Sequence, residues 1–517
     1  MHDAALTAEA LASLPPDIAD SPLFSGDLAP VPASRRNWTT YNFAALWISM
    51  SHCIPTYTLA GGMIAAGMNW WQALLTIGVG TLIVLGPILL NAHPGTKYGV
   101  PFPVLARSSF GTTGANIPAI LRAIVAFGWF GINCYFGGEG VASLLEAIWP
   151  GYAQLGGGAM ILGYPLPHFL AFAIFWGLNV FVIYRGMNAV RVFENWAAPL
   201  VLVMAGALLA WVVVRAHGIG GMLSEPSKFA TNGEFFAVFF PWMTGVVGFW
   251  STLALNIPDF TRFGKGQKEQ MLGQTLGLPT TMILFSLMAV MITSASKEVL
   301  HGFPAADLWD PVKILGAITS PTPVGTLTEP LLSSGVTRLI VALLSMFGVG
   351  VASVSVNIAA NVVSPANDIA NIAPRLISFK TGGLITAIAG AAMLPWKLAS
   401  HGIVDWLIGY SALLGPICGI MIVDYWILRK QTLDVPELYR PHGRHAGTNW
   451  IAVGAMVLGI LPNVPGFLEQ VKLSGPVHPL MHWIYVFAWF VGFAIAGGVY
   501  YAGMTMKRST STLVSPA

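Results

Sequence analysis

The sequence predicts an all-α integral membrane protein with about twelve transmembrane helices. Of the 517 residues, 55% are hydrophobic and only 9% are charged, whereas soluble domains contain about 25% charged residues. Stretches of about 20 apolar residues, the length of a helix that crosses a bilayer, recur along the whole chain. Most of the side chains must therefore face lipid or other helices.

The twelve predicted spans are numbered in chain order. Their ranges are 41–65, 72–92, 117–147, 167–186, 195–216, 236–263, 276–298, 335–363, 382–398, 402–427, 449–466 and 482–504. With a cytoplasmic N-terminus, the cytoplasmic side holds 18 of the 25 Lys and Arg residues and the outer side holds the other 7. The positive-inside rule predicts such an excess, and the excess arises only with an even number of spans. It therefore supports both the orientation and the span count.

Residues 1–40 and 505–517 are predicted to be cytoplasmic tails. The first 34 residues carry five acidic residues and several prolines but no Lys or Arg, which is the reverse of the basic start of a signal peptide. The predicted location is the cell (cytoplasmic) membrane, crossed many times, with both termini in the cytoplasm. The net charge of +3 is small and does not indicate nucleic acid as a partner.

Two spans contain residues that interrupt a helix. Pro55 in the middle of the first span removes a backbone donor, and polar side chains that include His52 surround it, so we expect a break at residues 53–57. The sixth span contains Pro241 and Pro258 with a pair of glycines between them, and we expect a second interruption there.

Irregular backbone at membrane depth is tolerated only where it lines a cavity or is buried in protein, so such interruptions indicate a site. An interrupted first helix, followed by another five spans later, is typical of transporters built from an inverted repeat. The two five-helix repeats would be 41–216 and 236–428, followed by two terminal helices within 449–504. The alternative is that Pro and Gly are simply commoner in membrane helices than in soluble ones.

Polar residues at membrane depth form two pairs. Trp129 and Asn133 on the third span are four residues apart, and Asn357 and Asn361 on the eighth have the same spacing, so each pair lies on one helix face. An indole offers a flat apolar surface, and a carboxamide offers a donor and an acceptor to the edge of a planar ring. Together they indicate a site for a flat, uncharged, polar heterocycle. The alternative is that the Asn residues join helices through hydrogen bonds.

Ionisable residues are few within the spans. They include His52, Glu139 and, closer to the span ends, Asp259, Asp405 and Asp424. Because burial of such groups in a membrane is costly, each is a functional candidate by default. Glu139 lies off the helix face that carries the Trp and Asn pair of the third span, and both a proton relay and a buried structural pair are open for it.

Five segments of the chain match the motifs of a known family, in order. They are KYGVPFPVLARSSFG at 97–111, GWFGIN at 128–133, NIAANVVSPANDIANIAPRLISFKTGG at 357–383, ALLGPICGIMIVDYW at 412–426 and ELY at 437–439. Through them the protein resembles the nucleobase:cation symporter-1 family, whose members are nucleobase, allantoin and hydantoin permeases. The resemblance covers about residues 36–450 and implies a ten-helix inverted-repeat core plus two terminal helices, the fold of the leucine transporter.

The resemblance also implies substrate-binding residues. The family's two stacking tryptophans fall on Trp129 and Trp250, and its ring-edge amides fall on Asn133 and Asn361. Cys53 matches a further pocket position in the first span.

A bulky residue that closes over the substrate in the family falls on Trp406, for which an interfacial anchor is the alternative. Hydantoin and allantoin members usually carry Gln at the position of Asn133, whereas several cytosine and purine members carry Asn. This difference favours a nucleobase as the substrate.

The family's sodium site falls on five positions of this chain. The resemblance implies backbone carbonyl ligands at Ser49, His52 and Ala352, and hydroxyl ligands at Ser355 and Val356. Sodium is a hard ion that is held by oxygen ligands, and valine supplies no hydroxyl. The departure at Val356 therefore weakens the case for sodium.

Proton coupling is the substitute for sodium that this departure suggests. His52 is the first candidate, because the ordinary pKa of histidine lies near neutrality. Glu139 and Asp259 are the alternatives.

The predicted function is secondary active transport, a cation symport that imports a planar nitrogen heterocycle such as uracil or cytosine. An allantoin or hydantoin permease of the same family is the alternative. A membrane-embedded enzyme or a channel belongs to a different class, and an enzyme would need a cluster such as two His and a carboxylate at helical spacing, which the predicted spans lack. The expected partners are the substrate, the coupling cation (H⁺ or Na⁺) and membrane lipid, with no cofactor and no bound metal centre. A monomer is sufficient for this function, and the oligomeric state is open.

Overall fold

A computed structural model of the protein describes residues 9–12, 14–149, 151–185, 187–399 and 403–513. Residues 1–8 and 514–517 of the two predicted tails lie outside the described residues, as do residue 186 of the fourth predicted span and residue 402 of the tenth.

The described chain is a bundle of helices with one very short β-hairpin. The α-helices are α1 (Thr40–Ser51), α2 (Ile54–Ala65), α3 (Trp70–Tyr98), α4 (Phe102–Phe110), α5 (Asn116–Ile148), α6 (Leu166–Arg185), α7 (Met187–Arg215), α8 (Asn232–Asn256), α9 (Pro258–Thr261), α10 (Gln267–Val299), α11 (Pro311–Thr319), α12 (Gly335–Asn361), α13 (Val363–Ala370), α14 (Phe379–Ala392), α15 (Pro395–Leu398), α16 (Ile403–Ile422), α17 (Trp450–Ile460), α18 (Val464–Gln470), α19 (Pro479–Val486) and α20 (Ala488–Leu513). Strands β1 (Met160–Ile161) and β2 (Tyr164–Pro165) pair antiparallel. Turns of 3₁₀ helix cover Pro16–Ile18, Ala33–Arg35, Tyr152–Gln154, Met222–Ser224, Asp307–Trp309, Pro436–Tyr439 and Leu461–Asn463, and a π-helical turn covers Val423–Leu428.

Each of the twelve predicted spans corresponds to a helix or to a pair of consecutive helices. Nine continuous helical segments of the described chain are long and apolar enough to cross a membrane. The remaining three spans are the split first span, α7 and the short α14. The prediction of a helical membrane protein with about twelve spans is therefore confirmed.

The first span is broken. The break begins at residue 52, one residue before the predicted range of 53–57. Helix α1 ends at Ser51, and Cys53 has an extended backbone with φ −134° and ψ 159° before α2 begins. Pro55 occupies the first turn of α2, where its missing N–H group would have no helical partner in any case. The proline therefore starts the second half of the span and does not disrupt it.

The sixth span is interrupted only at its end. Helix α8 runs without a break past Pro241 to Asn256, and α9 starts afresh at Pro258. Gly248, within the unbroken part, lies so close to the tenth span that an added Cβ would be 2.6 Å from the carbonyl oxygen of Leu407. The glycine thus serves helix packing, while Pro258 marks the interruption.

Four pairs of helices pack along each other most extensively in the described chain. Helix α5 packs along α12, α3 along α8, α1 along α10, and α16 along α20. The third and eighth spans, which carry the predicted Trp and Asn pairs, are therefore direct neighbours.

The N-terminal segment lies packed against one end of the bundle. Side chains of Arg107, Arg262 and Arg375 donate hydrogen bonds to backbone carbonyls between residues 19 and 27. The predicted tail is thus held to the helices by three arginines from separate parts of the chain.

The π-helical turn at the end of the tenth span holds Asp424 in a fully paired position. Its carboxylate accepts hydrogen bonds from the hydroxyls of Ser108, Ser109 and Tyr500 and from Arg429 at 2.6 Å. These contacts join the tenth span to α4 and α20, which favours a structural role for this buried acid.

Candidate substrate and cation site

Two tryptophans and a phenylalanine form a buried aromatic cluster. Trp129 on α5 and Trp250 on α8 are 6% and 2% exposed. The ring of Phe249 lies between them, with its centroid 5.4 Å from Trp129 and 4.9 Å from Trp250, edge to face in both cases. Such rings offer flat apolar surfaces on which another planar ring can stack.

The tenth span closes this cluster from one side. The indole N–H of Trp129 donates to the hydroxyl of Tyr410 at 3.3 Å, and that hydroxyl donates to the carbonyl of Gly248 at 2.9 Å. Trp406 packs edge-on against Tyr410 with ring centroids 5.3 Å apart. A Cβ at Gly128 would be 2.8 Å from the Trp406 ring, so Trp406 lies directly beside the helix turn that carries Trp129.

The predicted amides are buried beside the cluster. Asn133 and Asn361 are 4% and 6% exposed. Asn133 donates its amino group to the Trp129 carbonyl at 3.0 Å, one turn earlier on the same helix. Asn361 donates to the carboxamide oxygen of Asn357 at 3.1 Å. Asn357 also donates to the carbonyl of Phe130, so the eighth span is tied to the third beside Trp129.

The residues matched to the cation site fall into two groups. The hydroxyls of Ser49 and Ser355 are hydrogen-bonded to each other across the first and eighth spans, and Val356 is buried beside them at 4% exposure. His52 and Ala352 instead line a cavity beside the break. The structure therefore brings Ser49 of the first span and Ser355 of the eighth span into direct contact.

This cavity has a volume of about 320 Å³ and lies between α2, α7, α10, α11 and α12. Cys53 also lines it, and its thiol is 3.2 Å from the hydroxyl of Thr56. The ring of His52 packs against Phe285 with centroids 4.0 Å apart. Most of the lining is apolar, and the four predicted stacking and ring-edge residues do not contribute to it. Cys53 and His52 thus face a cavity that the predicted stacking and ring-edge residues do not line.

Loop helix α11 covers this cavity outside the predicted spans. Asp310 caps the helix by accepting a hydrogen bond from the backbone N–H of Val312 at 2.9 Å. Burial raises the pKa of Asp310 to about 6, although this hydrogen bond and the nearby Lys313 lower it.

Glu139 lies away from the aromatic cluster in a contact between α5 and α6. Its carboxylate is 2.9 Å from the imidazole of His168 and accepts a hydrogen bond from the Tyr164 hydroxyl of β2. Two roles were open for Glu139 from the sequence, a proton relay and a buried structural pair. This geometry supports the structural pair.

Asp259 belongs to a buried polar cluster that was not predicted from the sequence. Its carboxylate accepts from the backbone N–H of Phe102 at 3.0 Å. Arg122 on α5 lies 3.7 Å from Asp368 on α13, and both side chains are fully buried. Arg122 also donates to the Ala360 carbonyl at 3.1 Å, immediately before Asn361. The cluster therefore anchors the end of the eighth span that carries the ring-edge amide.

Three further residues near the site were not predicted from the sequence. Tyr410 follows Trp406 by one helical turn, a spacing that could have revealed it. Asn179 is a lone amide in an apolar stretch of the fourth span, which is a detectable signal. No sequence signal indicated Phe249, because aromatic residues are common in the membrane helices of this chain.

A helix bundle with an interrupted first span and a buried aromatic and amide cluster beside the interruption has the architecture of a secondary membrane transporter. Residues 30–492 match the family described as permeases for cytosine/purines, uracil, thiamine and allantoin, and the chain belongs to this permease family. Permeases are transporters, so the prediction of a transporter and not an enzyme is confirmed.

Relatives of this chain span nearly all of it. The allantoin permease of Bacillus subtilis (strain 168) is 41% identical over 479 residues, which cover 92% of this chain and 91% of that protein. The purine-uracil permease NCS1 of Arabidopsis thaliana is 40% identical over 512 residues, covering 96% of this chain and 80% of that protein. The structure of Mhp1, a nucleobase-cation-symport-1 family transporter in a closed conformation with bromovinylhydantoin bound, matches with a TM-score of 0.70 at 22% identity, covering 94% of this chain and 96% of that one. This last match confirms the fold.

Proposed function

We propose that the protein is a cation symporter that imports a planar nitrogen heterocycle, a nucleobase such as uracil or cytosine. The observation that carries the proposal is the buried aromatic cluster of Trp129, Phe249 and Trp250. Asn133 is bonded to the Trp129 carbonyl, and Asn361 is connected through Asn357 to the carbonyl of Phe130 on the same helix. The heterocycle would stack on Trp129 and Trp250 while Asn133 and Asn361 bind its edge. Trp406 would close the site from the outside, and Cys53 would contribute from the break in the first span.

Allantoin or hydantoin is the second candidate substrate. It is favoured by the 41% identity to a relative named as an allantoin permease, whereas the 40% identity to a purine-uracil permease favours the nucleobase. Asn133, at the position where hydantoin and allantoin members usually carry Gln, also supports the nucleobase.

The proposal includes the place of the protein in the membrane. It would lie in the cytoplasmic membrane with both termini inside, consistent with the excess of basic residues on that side. The two halves 41–216 and 236–428 would rock against each other to open the site to either side in turn. A monomer in contact with lipid would be sufficient.

Competition for uptake tests the substrate. In cells that produce the protein, we expect unlabelled uracil and cytosine to reduce uptake of radiolabelled uracil more strongly than allantoin, hydantoin or purines do. Cells that carry an empty vector measure background uptake. Strongest competition by allantoin would select the second candidate, and no competition by any of these compounds would refute the proposed substrate class.

Replacement of external sodium tests the coupling ion, for which we propose the proton. Because Val356 supplies no hydroxyl, we expect uptake to follow external pH and to be unchanged when sodium is replaced by choline. The substitution Val356→Ser restores the missing oxygen next to Ser49 and Ser355 and is expected to introduce sodium stimulation.

Val354→Ser is the matched control, since Val354 is equally buried on the same helix at 3% exposure. Strict sodium dependence of the native protein would contradict proton coupling. His52 is the residue proposed to carry the proton, and Glu139 and Asp259 are the alternatives.

A further inference from the structure

Three buried carboxamides form a hydrogen-bonded chain that ends at the proposed substrate site. The amino group of Asn357 donates to the oxygen of Asn179 on the fourth span at 3.2 Å. The amino group of Asn361 donates in turn to the oxygen of Asn357 at 3.1 Å. Asn179 and Asn357 are fully buried and Asn361 is 6% exposed.

Backbone carbonyls determine the direction of this chain. A carbonyl oxygen can only accept, so an amide group facing one must present its amino side. The Asn179 amino group faces the Phe175 carbonyl at 2.9 Å, and the Asn357 amino group faces the Phe130 carbonyl at 3.3 Å. The oxygens of both residues therefore point along the chain toward the next amino group. Reversal of any one carboxamide would place two acceptors face to face.

The last carboxamide of this hydrogen-bonded chain, that of Asn361, has a free acceptor. The oxygen of Asn361 accepts no hydrogen bond from the residues that the structure describes. Asn133 also has a free acceptor. Its amino group donates to the Trp129 carbonyl, and its oxygen accepts no hydrogen bond from the described residues. Both ring-edge amides therefore offer oxygen to the site.

We propose that Asn179 and Asn357 are positioning residues that set the polarity of the substrate site, so that the transporter selects heterocycles by their N–H donors. The inference rests on the proposed function, in which Asn361 binds the substrate edge. Asn179 and Asn357 themselves touch no substrate. They act by holding the Asn361 carboxamide with its oxygen toward the ring.

The expected selectivity follows from the cost of an unpaired acceptor. Uracil, cytosine, allantoin and hydantoin all carry at least two N–H groups that can donate to the two oxygens. Methylation of both ring nitrogens of uracil leaves each buried oxygen without a donor, which is strongly penalised. We expect the native protein to prefer uracil over 1,3-dimethyluracil by about 100-fold or more, as sites built to pair with a substrate N–H do.

The experiment compares the affinities of uracil and 1,3-dimethyluracil for the purified full-length protein and its variants. Asn357→Leu removes the anchor of Asn361 and lets that carboxamide rotate, so we expect the preference for uracil to fall by about 10-fold or more. Asn179→Leu leaves the anchor at the Phe130 carbonyl and should cause a smaller fall. This milder variant keeps the test decisive if Asn357→Leu does not fold.

Asn463→Leu is the control. Asn463 is equally buried in the terminal helices, where it donates to the carbonyls of Gly459 and Ala488 at 3.3 and 3.4 Å. We expect its preference to equal that of the native protein. If Asn357→Leu and Asn179→Leu weaken both ligands alike and leave the preference unchanged, the two residues are only structural and the inference is wrong. If the native protein binds none of uracil, cytosine, allantoin and hydantoin, the proposed function itself fails, and this inference with it.

Discussion

Replacement of Asn361 by alanine is expected to abolish transport of the heterocycle and leave the amount of protein in the membrane unchanged. The substitution removes the oxygen that would accept a substrate N–H, and it also removes the donor to the oxygen of Asn357. Each buried polar group that loses its partner costs about 1–3 kcal/mol. The unpaired Asn357 oxygen affects the free and the bound protein alike, so the loss of affinity comes from the unpaired substrate N–H and should be about 10- to 100-fold.

Uptake of radiolabelled substrate and direct binding to the purified protein measure this effect, with the quantity of protein in the membrane determined in parallel. Asn463→Ala is the matched control, because it deletes a buried carboxamide of the terminal helices. Native uptake by Asn361→Ala would show that this residue does not bind the substrate.

Arg122→Leu is expected to cause a large loss of stability. Arg122 is fully buried, lies 3.7 Å from Asp368 and donates to the carbonyl of Ala360. Its loss would leave the carboxylate of Asp368 buried without a positive partner while Asp259 remains nearby. Removal of one member of a buried ion pair costs about 3–5 kcal/mol.

Thermal unfolding in detergent measures this loss as a lower melting temperature. Replacement of both partners by apolar residues of similar size is often nearly neutral, so the double variant with Asp368→Leu should recover more than half of the loss. Lys297→Ala, which breaks an exposed pair with Glu225 at 3.3 Å, should cost less than about 1 kcal/mol. A native melting temperature for Arg122→Leu would mean that the buried pair contributes nothing to stability.

The membrane architecture was readable from local sequence. Hydrophobicity over about 20 residues depends only on neighbours in the chain, and it predicted about twelve spans, each of which corresponds to one helix or to consecutive helices. The break in the first span was also readable, because Pro55 acts on its own backbone. The motif resemblance then pointed to the permease family.

In the sixth span, the local sequence did not predict the backbone conformation correctly. The glycines between Pro241 and Pro258 suggested irregular backbone, yet α8 is unbroken there. Gly248 is small because the Leu407 carbonyl of another span lies against it. A close contact between helices leaves no mark in the sequence that distinguishes it from a helix break.

By itself, therefore, the sequence determined the number of spans, the first break and the residue types available for a flat heterocycle. Only the tertiary structure decided which polar groups face one another. Asn179 and Asn357 are 178 positions apart, and Arg122 meets Asp368 only because α5 and α13 are neighbours. A hydrogen bond or ion pair depends on distances of about 3–4 Å and on direction, and helix packing alone sets both.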